Sequence, residues 1–260
     1  MTETAAEEFR RSADEAARLG HPSYVWRAGQ ERRLALVRRW ARLEGARILD
    51  AGCGVGIYTA QFRRFSPHVV GVEIDLSAAR QAAGQLAGII VAPAEALPFA
   101  DDAFDVVFSH EVIEHVQDDR AAAREMLRVT APGGRIVIFC PNRLYPFETH
   151  GHYWRGRYHF GNTPLINYLP DPLRNRLAPH VRAYTAGRLR GLFDPAQATV
   201  VHHSVIYPGF DNVVARRPGL GALLRRVLYA LEHTPLQAFG LSHFLVLEKL
   251  PLSDSRCRAP

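Results

Sequence analysis

Three glycines follow a short apolar run in the segment "ILDAGCGVGIYT" (48–59), and an aspartate stands just before them. Glycine behind a buried strand permits a sharp turn and lets a nucleotide-like ligand approach the backbone closely. The dinucleotide spacing G-x-G-x-x-G is absent, because Ile57 and Thr59 stand where its two possible registers need a third glycine. The spacing present is Asp-x-Gly-x-Gly-x-Gly, made by Asp50, Gly52, Gly54 and Gly56.

A second group of reactive side chains lies in "SHEVIEHV" (109–116). His110 is a candidate general base, since the unperturbed pKa of imidazole lies near neutrality. Carboxylates and imidazoles also suit a divalent ion, and groups at i and i+3 or i+4 face one way on a helical turn. A third interpretation is that these residues only start a helix and pack. The candidate metal ligands are Glu111, Glu114 and His115, with a fourth from His150 or His152.

The Asp-x-Gly-x-Gly-x-Gly segment resembles motif I of the class I S-adenosylmethionine (SAM) dependent methyltransferases. SAM has no phosphate; it has an amino-acid end, a sulfonium and a nucleoside. The resemblance implies that Asp50 meets the ammonium group, directly or through water. It also implies that the methionyl part lies against the turn formed by Gly52, Cys53, Gly54 and Gly56.

Further segments resemble the same family, in order, over residues 46–140. In "GVEID" Glu73 stands at the end of the second predicted strand, where a carboxylate is implied to accept both ribose hydroxyls, and Ile74 is implied to pack on the adenine. "APAEALPF" (92–99) resembles the adenine-edge loop, although Pro93 replaces the usual aspartate. "FDVVFSHEVIEHV" and "LRVTAPGGRIVI" resemble the fourth and fifth strands with their turns. The other implied cofactor contacts are Ala94, Glu95 and Ser109, with Tyr24 and Arg27 closing the site.

The E-x-x-E-H order of residues 111–115 resembles small-RNA 2′-O-methyltransferases and ubiquinone-pathway O-methyltransferases, which use magnesium there. In this fold the rim after strand four faces the methyl group. An in-line attack on that group needs alignment, and a base if the acceptor is a hydroxyl. Acid–base and metal-assisted chemistry both stay open. The candidate catalytic residues are His110, Glu111, His115 and His150.

Short apolar runs alternate with helical stretches from residue 46 onward, which predicts a parallel sheet covered on both faces. The resemblance implies an α/β, Rossmann-like three-layer sandwich. Its seven-stranded sheet has the order 3-2-1-4-5-7-6 and an antiparallel last strand. The strands are predicted at 46–51, 68–74, 88–92, 104–109, 133–140, 198–206 and 243–249.

We divide the chain into a helical cap (1–44), a SAM-binding core (45–140), an insert (141–184) and the rest of the core (185–260). The cap contains predicted helices at 3–19 and 29–43. The insert is aromatic and basic without clear periodicity, which is typical of a lid or binding region. Its aromatics are predicted to wall an apolar acceptor pocket, and Arg143, Arg155 and Arg157 to hold a carboxylate or phosphate.

A leucine stripe marks residues 220–232 as an amphipathic helix. Packing on the sheet is the interpretation we favour, and peripheral membrane contact is the alternative. The 260 residues carry a formal net charge of +6 and three cysteines, none in a C-x-x-C pair. A disulfide framework is therefore not expected, and a cytoplasmic location is.

The sequence favours SAM-dependent methyl transfer to a small-molecule or lipid-like acceptor, at oxygen. One alternative is an RNA 2′-O-methyltransferase, which the basic charge suggests but the lack of a separate RNA-binding module weakens. Another is a SAM-binding protein without catalysis. The sequence predicts neither the identity of the acceptor nor the oligomeric state.

Overall fold

The computed structural model describes residues 26–251, so the predicted helix over 3–19 and the position of Tyr24 lie outside it. Its strands are β1 (Ile48–Ala51), β2 (Val69–Glu73), β3 (Ile89–Val91), β4 (Phe104–His110), β5 (Thr130–Pro141), β6 (Phe147–Glu148), β7 (His152–Trp154), β8 (Arg157–His159), β9 (Thr163–Pro164), β10 (Ala198–Ile206) and β11 (Ser242–Lys249).

The helices begin with α1 (Ala28–Trp40), which the sequence predicted over 29–43. Two short 3-10 turns, Ile166–Tyr168 and Pro235–Phe239, add to the helical content. The other α-helices of the described residues are α2 (Ile57–Phe62), α3 (Leu76–Ala83), α4 (Asp119–Val129), α5 (Asp171–Leu177), α6 (Ala186–Arg190), α7 (Asp211–Arg216) and α8 (Pro218–Leu231).

Seven strands form one sheet in the order β10-β11-β5-β4-β1-β2-β3. β11 runs antiparallel to both β5 and β10, whereas β1 is parallel to both of its neighbours. The predicted fold class, strand order and antiparallel last strand are confirmed. From β1 the chain builds outward to β2 and β3 on one side, and then to β4 and β5 on the other. A crevice therefore opens beyond the carboxyl ends of β1 and β4, at the topological switch point.

The core lies on both faces of the sheet. Leu49 and Val107 belong to one apolar cluster, and their chain neighbours Ile48 and Val106 belong to the other. This split follows from the alternation of side chains along a strand, and it explains why β1 and β4 read as continuous apolar runs. Asp50, near the end of β1, and Ser109 in β4 are the buried polar exceptions in these two strands.

The insert is more regular than its sequence indicates. β6 pairs with β9, and β7 with β8, as two small antiparallel sheets. A buried ion pair fixes the insert, with Arg174 Nη2 2.8 Å from Glu148 Oε2. Arg174 also donates to the carbonyl of Val181 at 2.5 Å. Isolated two-stranded hairpins have little stability of their own, so these buried polar ties account for the order of the segment.

The packing of helix α8 differs from the packing against the sheet that its leucine stripe led us to favour. Its one buried residue among those described is Gly221, which packs on Val214 of α7 so closely that a Cβ there would lie 2.6 Å from the Val214 Cα. Leu223 and Val227 stay exposed instead of covering the sheet. Among residues 26–251, no helix combines the length and apolar character that a bilayer span requires.

Candidate functional site

A cleft of about 780 Å³ opens at the carboxyl ends of β1, β2 and β4. The glycine turn after β1 forms its floor, and the loops after β3 and β4 form its walls. Most of the sequence-predicted cofactor residues line it. They are Asp50, Gly52, Cys53, Gly54, Glu73, Ile74, Ala94 and Glu95.

The glycines of the turn have different tasks. Gly52 has φ +86°, and a Cβ on it would lie 2.3 Å from Val112, so this glycine permits close packing of two loops. Gly54 has φ +55° and open space where a side chain would be, so it leaves room for a ligand. Gly56 does not line the cleft: its missing Cβ faces Leu86, at 2.6 Å, where α2 begins. Only Gly residues combine these positive φ angles with such close approaches.

Asp50 is almost completely buried and accepts a hydrogen bond from Thr59 Oγ1 at 2.6 Å. Burial and the negative charge of Glu73 raise the pKa of the Asp50 carboxyl to about 7, although the bond from Thr59 opposes the shift. Burial penalises the ionised form of the Asp50 carboxyl, so a positive charge beside it would stabilise that form. The site therefore favours a cation in the cleft.

Glu73 is held at the end of β2 by two backbone amides. Gly54 N donates to its Oε2 and Asp75 N to its Oε1, both at 2.8 Å. Each carboxylate oxygen can accept more than one bond, so capacity remains on the cleft side. Ile74 beside it is 66% exposed, which leaves an apolar surface on the wall of the cleft.

Glu95 lines the cleft but uses its carboxylate to join two loops. Its Oε1 accepts from the backbone of Gln117 at 2.7 Å, so the loop after β3 is tied to the segment before α4. Ser109 is buried without lining the cleft, and Arg27 precedes α1 and lies off the cleft wall. Several lining residues were not predicted as cofactor contacts, because the family resemblance assigned them no individual role. They are Ile57, Tyr58, Val112, Val116, Gln117 and Asp118.

His110 ends β4 in contact with Arg33 of α1. Its ring also packs on Tyr58, with ring centroids 4.8 Å apart. Burial and the adjacent Arg33 charge lower the pKa of His110 to about 3. The general-base interpretation relied on a pKa near neutrality, and this environment does not supply it. Arg33 was not singled out from the sequence, since nothing in the helical pattern of "ERRLALVRRW" separates it from its neighbouring arginines.

Glu111 follows β4 in an unusual backbone conformation, with φ +55°. Its Oε1 lies 3.3 Å from both Arg33 Nη1 and Ser242 Oγ. Although burial opposes the shift, the charge of Arg33 lowers the pKa of Glu111 to about 2. A non-glycine residue held at positive φ is a strained feature of the kind that clusters at functional sites. Here it turns the carboxylate toward the arginine.

Glu114 is 1% exposed and its carboxyl interacts with that of Glu111, but neither of its oxygens has a well-formed hydrogen bond among the described residues. Burial and the negative charge of Glu111 raise the pKa of Glu114 well above its usual range. Ligand atoms of Glu114, His115 and His150 lie within 4.8 Å of one another. The structure thus brings together three residues that the sequence named from two distant segments.

The insert delivers His150 to this group. His150 Nε2 lies 3.9 Å from Glu111 Oε2, and its Nδ1 lies 3.2 Å from Glu148 Oε1. The alternative fourth ligand, His152, points elsewhere, because its Nδ1 lies 3.0 Å from Thr163 Oγ1. The six aromatics expected to wall an acceptor pocket do not line the cleft within the described part of the chain. They are Tyr145, Phe147, Tyr153, Trp154, Tyr158 and Phe160.

Comparisons with known proteins agree with this geometry. Residues 49–138 match the family model described as "Methyltransferase domain". An uncharacterized methyltransferase of Mycobacterium leprae is 39% identical over 140 residues, which cover 50% of this chain and 52% of that protein. The chain therefore spans about half the length of the curated relatives it matches.

Solved structures share the fold at lower identity. A SAM-dependent methyltransferase from Mesorhizobium loti has a TM-score of 0.58 and 20% identity, over 83% of this chain and 96% of that one. The [4+2]-cyclase SpnF has a TM-score of 0.53 and 18% identity, over 85% and 82%. These likenesses show the fold alone.

The glycine turn, the sheet order and the family match define a methyltransferase domain around the cleft. Residues 49–138 match a methyltransferase domain, whose implied cofactor is SAM, and the described residues share the fold of SAM-dependent methyltransferases.

Proposed function

We propose that the chain transfers the methyl group of SAM to a hydroxyl oxygen of a small-molecule or lipid-like acceptor. The observation that carries the proposal is the composition of the cleft. A buried carboxylate and an open glycine turn lie at one end of it. Glu111 and His115 also line the cleft, and ligand atoms of Glu114 and His150 lie within 4.8 Å of the ligand atom of His115. The first end suits the donor, and the residues around His115 supply polar groups for an acceptor.

Donor binding follows from the shape and charge of the first end. Asp50 takes the ammonium group of SAM, because a cation there relieves the cost of its buried charge. The methionyl part lies over Gly54, where the backbone is bare. Glu73 accepts the ribose hydroxyls with its remaining lone pairs. Ile74 covers the adenine, and burial of its exposed side chain adds to the binding energy.

Methyl transfer to a hydroxyl needs a proton acceptor near the attacking oxygen. His150 is the proposed base, since Glu148 lies against its Nδ1 and leaves Nε2 directed toward the Glu111 end of the group. A carboxylate behind an imidazole fixes its orientation and tautomer, and it stabilises the imidazolium that forms. His110 and His115 are poorer bases, since their pKa values are lowered to about 3 and about 4.

A divalent ion is the second candidate for activating the acceptor. The oxygens of the buried Glu114, which lack a well-formed hydrogen bond among the described residues, favour it, because buried polar atoms are nearly always paired. Glu114, His115 and His150 would hold the ion, and this mixed oxygen and nitrogen set suits a divalent metal. When bound, the ion would supply Lewis-acid polarisation of the acceptor hydroxyl.

Calorimetry with SAM, its demethylated product and NAD tests the donor. We expect SAM and its product to bind and NAD not to bind. The Asp50→Asn variant should weaken SAM binding, and the exposed Asp101→Asn should serve as the control with an equal change of charge. Binding of NAD without SAM would overturn the proposal.

Labelled SAM, incubated with cell extract split into lipids, RNA and small metabolites, identifies the class of acceptor. Label in lipids or metabolites supports the proposal, and label confined to RNA refutes it.

A chelator then separates the base from the ion. If His150 acts as a base, activity survives the chelator and falls by about 10²- to 10⁴-fold in His150→Gln. His152→Gln is the matched control, since the same segment carries it but its ring bonds Thr163. If an ion acts, the chelator abolishes turnover and magnesium restores it. Unchanged activity with chelator and in His150→Gln would reject both candidates.

A further inference from the structure

A second cavity, of about 490 Å³, lies behind the loop that follows β4. Its lining and that of the SAM cleft share His115, Val116 and Gln117, so the two spaces adjoin at this short segment. Glu114, Arg143, the segment 178–183, α5 and Arg188 of α6 supply the rest of the lining. The cavity is therefore built by the insert and lies next to the proposed methyl-transfer site.

The residues that line the cavity include four arginines but two acidic residues. Arg174 is neutralised by Glu148 and is not available to a ligand. Arg182 holds the loop by donating to the carbonyls of Val116 and Gln117. Arg143 donates from Nη2 to the carbonyl of Leu169 at 2.7 Å, so its Nη1 and Nε, with the guanidinium of Arg188, remain as the donors that a ligand would meet.

Arg143 and Arg188 share a single acid. Asp171 Oδ1 lies 2.8 Å from Arg143 Nη2, and its Oδ2 lies 3.8 Å from Arg188 Nη1. Asp171 is 60% exposed at its side chain, so water weakens both attractions. One carboxylate thus faces two positive charges at the mouth of the cavity. An entering anion would meet a net positive field there and could take both arginines as donors.

Unpartnered polar atoms belong to the same lining. His180 donates from Nε2 to the carbonyl of His150 at 3.0 Å, but its buried Nδ1 has no hydrogen-bond partner within residues 26–251. The nine-tenths-buried carboxyl of Glu114 also lacks a well-formed hydrogen bond there. Buried polar groups without partners are rare, and they point to a ligand or solvent that completes them.

We propose that this cavity binds an acidic group, a carboxylate or a phosphate, carried by the molecule that receives the methyl group. Arg143 and Arg188 hold the acid, and the segment 115–117 borders both this cavity and the SAM cleft. The acceptor part of this inference rests on the proposed methyl transfer; the anion site itself does not. Of the three arginines that the sequence suggested for this task, Arg143 lines the cavity, and Arg155 and Arg157 lie exposed on the β7–β8 hairpin.

Inorganic phosphate and acetate, in separate arms, probe the site against chloride at equal ionic strength. We expect at least one of them to raise the midpoint of thermal unfolding of the wild type. The Arg143→Gln/Arg188→Gln variant should weaken that anion by about tenfold or more, since a hydrogen bond to a charged group is lost. Arg176→Gln/Arg190→Gln is the matched control, because it removes two exposed charges that do not line the cavity. SAM affinity should not change in either variant.

Three results would overturn the anion site. The first is that neither anion raises the unfolding midpoint more than chloride does. The second is that both double variants lose the anion-dependent shift equally. The third is that Arg143→Gln/Arg188→Gln keeps the full shift of the wild type. If the double variant does not fold, Arg188→Gln carries the test with Arg190→Gln as its control, because Arg188 makes only the long contact to Asp171 among the described residues.

The link to the acceptor is tested with labelled SAM and extract separated on an anion exchanger. We expect the methylated product to arise from the retained, acidic fraction. In Arg188→Gln the KM for that fraction should rise about tenfold with the KM for SAM unchanged. Product from the unretained fraction alone would overturn the acceptor assignment. A failure to bind SAM and to methylate any fraction would refute the proposed function, and the phosphate and acetate arms would still decide the anion site.

Discussion

Binding of SAM should depend on pH through a single buried carboxyl group. Burial and the charge of Glu73 raise the pKa of Asp50 to about 7 in the free protein. The α-amino group of SAM keeps its proton below about pH 7.5. Binding of that cation therefore requires the ionised form of Asp50, and in acid the carboxyl must first lose a proton.

The size of the effect follows from the pKa. At pH 7.0 about half of the Asp50 carboxyls are ionised, and at pH 5.5 about 3% are, so the Kd for SAM should rise about 15-fold over this range. His110 and His115 do not contribute to this change in Kd, because their pKa values of about 3 and about 4 lie below pH 5.5. Asp50→Asn should bind SAM about 10- to 100-fold more weakly at pH 7.0 and show no such profile.

Isothermal titration calorimetry in two buffers of different ionisation enthalpy measures both quantities. At pH 5.5 the wild type should release about one proton for each SAM bound. 5′-Methylthioadenosine, which lacks the amino-acid end, is the control ligand, and its Kd should stay constant. A flat Kd for SAM between pH 7.0 and 5.5, or an Asp50→Asn variant that keeps the wild-type profile, would refute the assignment of Asp50 to the ammonium group.

Three further outcomes are expected. The raised pKa of Asp50 stabilises the folded state at acid pH, and this stabilisation is lost as pH rises through about 7. Asp50→Asn should therefore increase the free energy of unfolding by up to about 4 kcal/mol at pH 8, and by almost nothing near pH 4, in urea titrations without SAM; a destabilised variant at pH 8 would contradict this. Gly54→Ala should abolish SAM binding, measured by calorimetry, and lower the free energy of unfolding by about 1–2 kcal/mol. Gly52→Ala should lower the free energy of unfolding several-fold more, because its Cβ would overlap the side chain of Val112. Equal losses of stability in urea unfolding would contradict the two roles. Arg174→Met should destabilise the insert by about 3–5 kcal/mol, because it leaves the buried Glu148 without its arginine, and it should expose residues 141–184 to limited proteolysis with SAM affinity unchanged. An insert as resistant as that of the wild type would show that the ion pair does not hold it.

The strands of the sheet could be predicted from the sequence because their signals are local, whereas their order was implied by the family resemblance. β1 and β4 are apolar on both faces, and a polar residue at or near the end of each marks the rim. The glycine turn is equally local, since the positive φ angles of Gly52 and Gly54 restrict the residue type at those positions. Order and spacing along the chain were sufficient for the strands and the turn.

The individual roles of the glycines were less predictable. Gly56 occurs in the same spacing as Gly54, but it serves the packing of α2 against Leu86. The two have similar positive φ values, and only the neighbouring atoms distinguish them. The exposed stripe of α8 shows the same limit, because an amphipathic pattern does not specify which surface the apolar face meets.

The surroundings of the candidate bases, His110 and His150, depend on contacts between segments that are distant in the sequence. His110 has the residue type of a neutral-pH base, but Arg33, 77 positions earlier, lies against it and lowers its pKa. His150 has the same ring and a carboxylate at Nδ1 instead of a guanidinium. A positive neighbour disfavours the protonated imidazole, so His110 is a poor proton acceptor. The proposal of His150 as the base therefore rests on the groups that the fold places beside each ring, and no local motif contains that information.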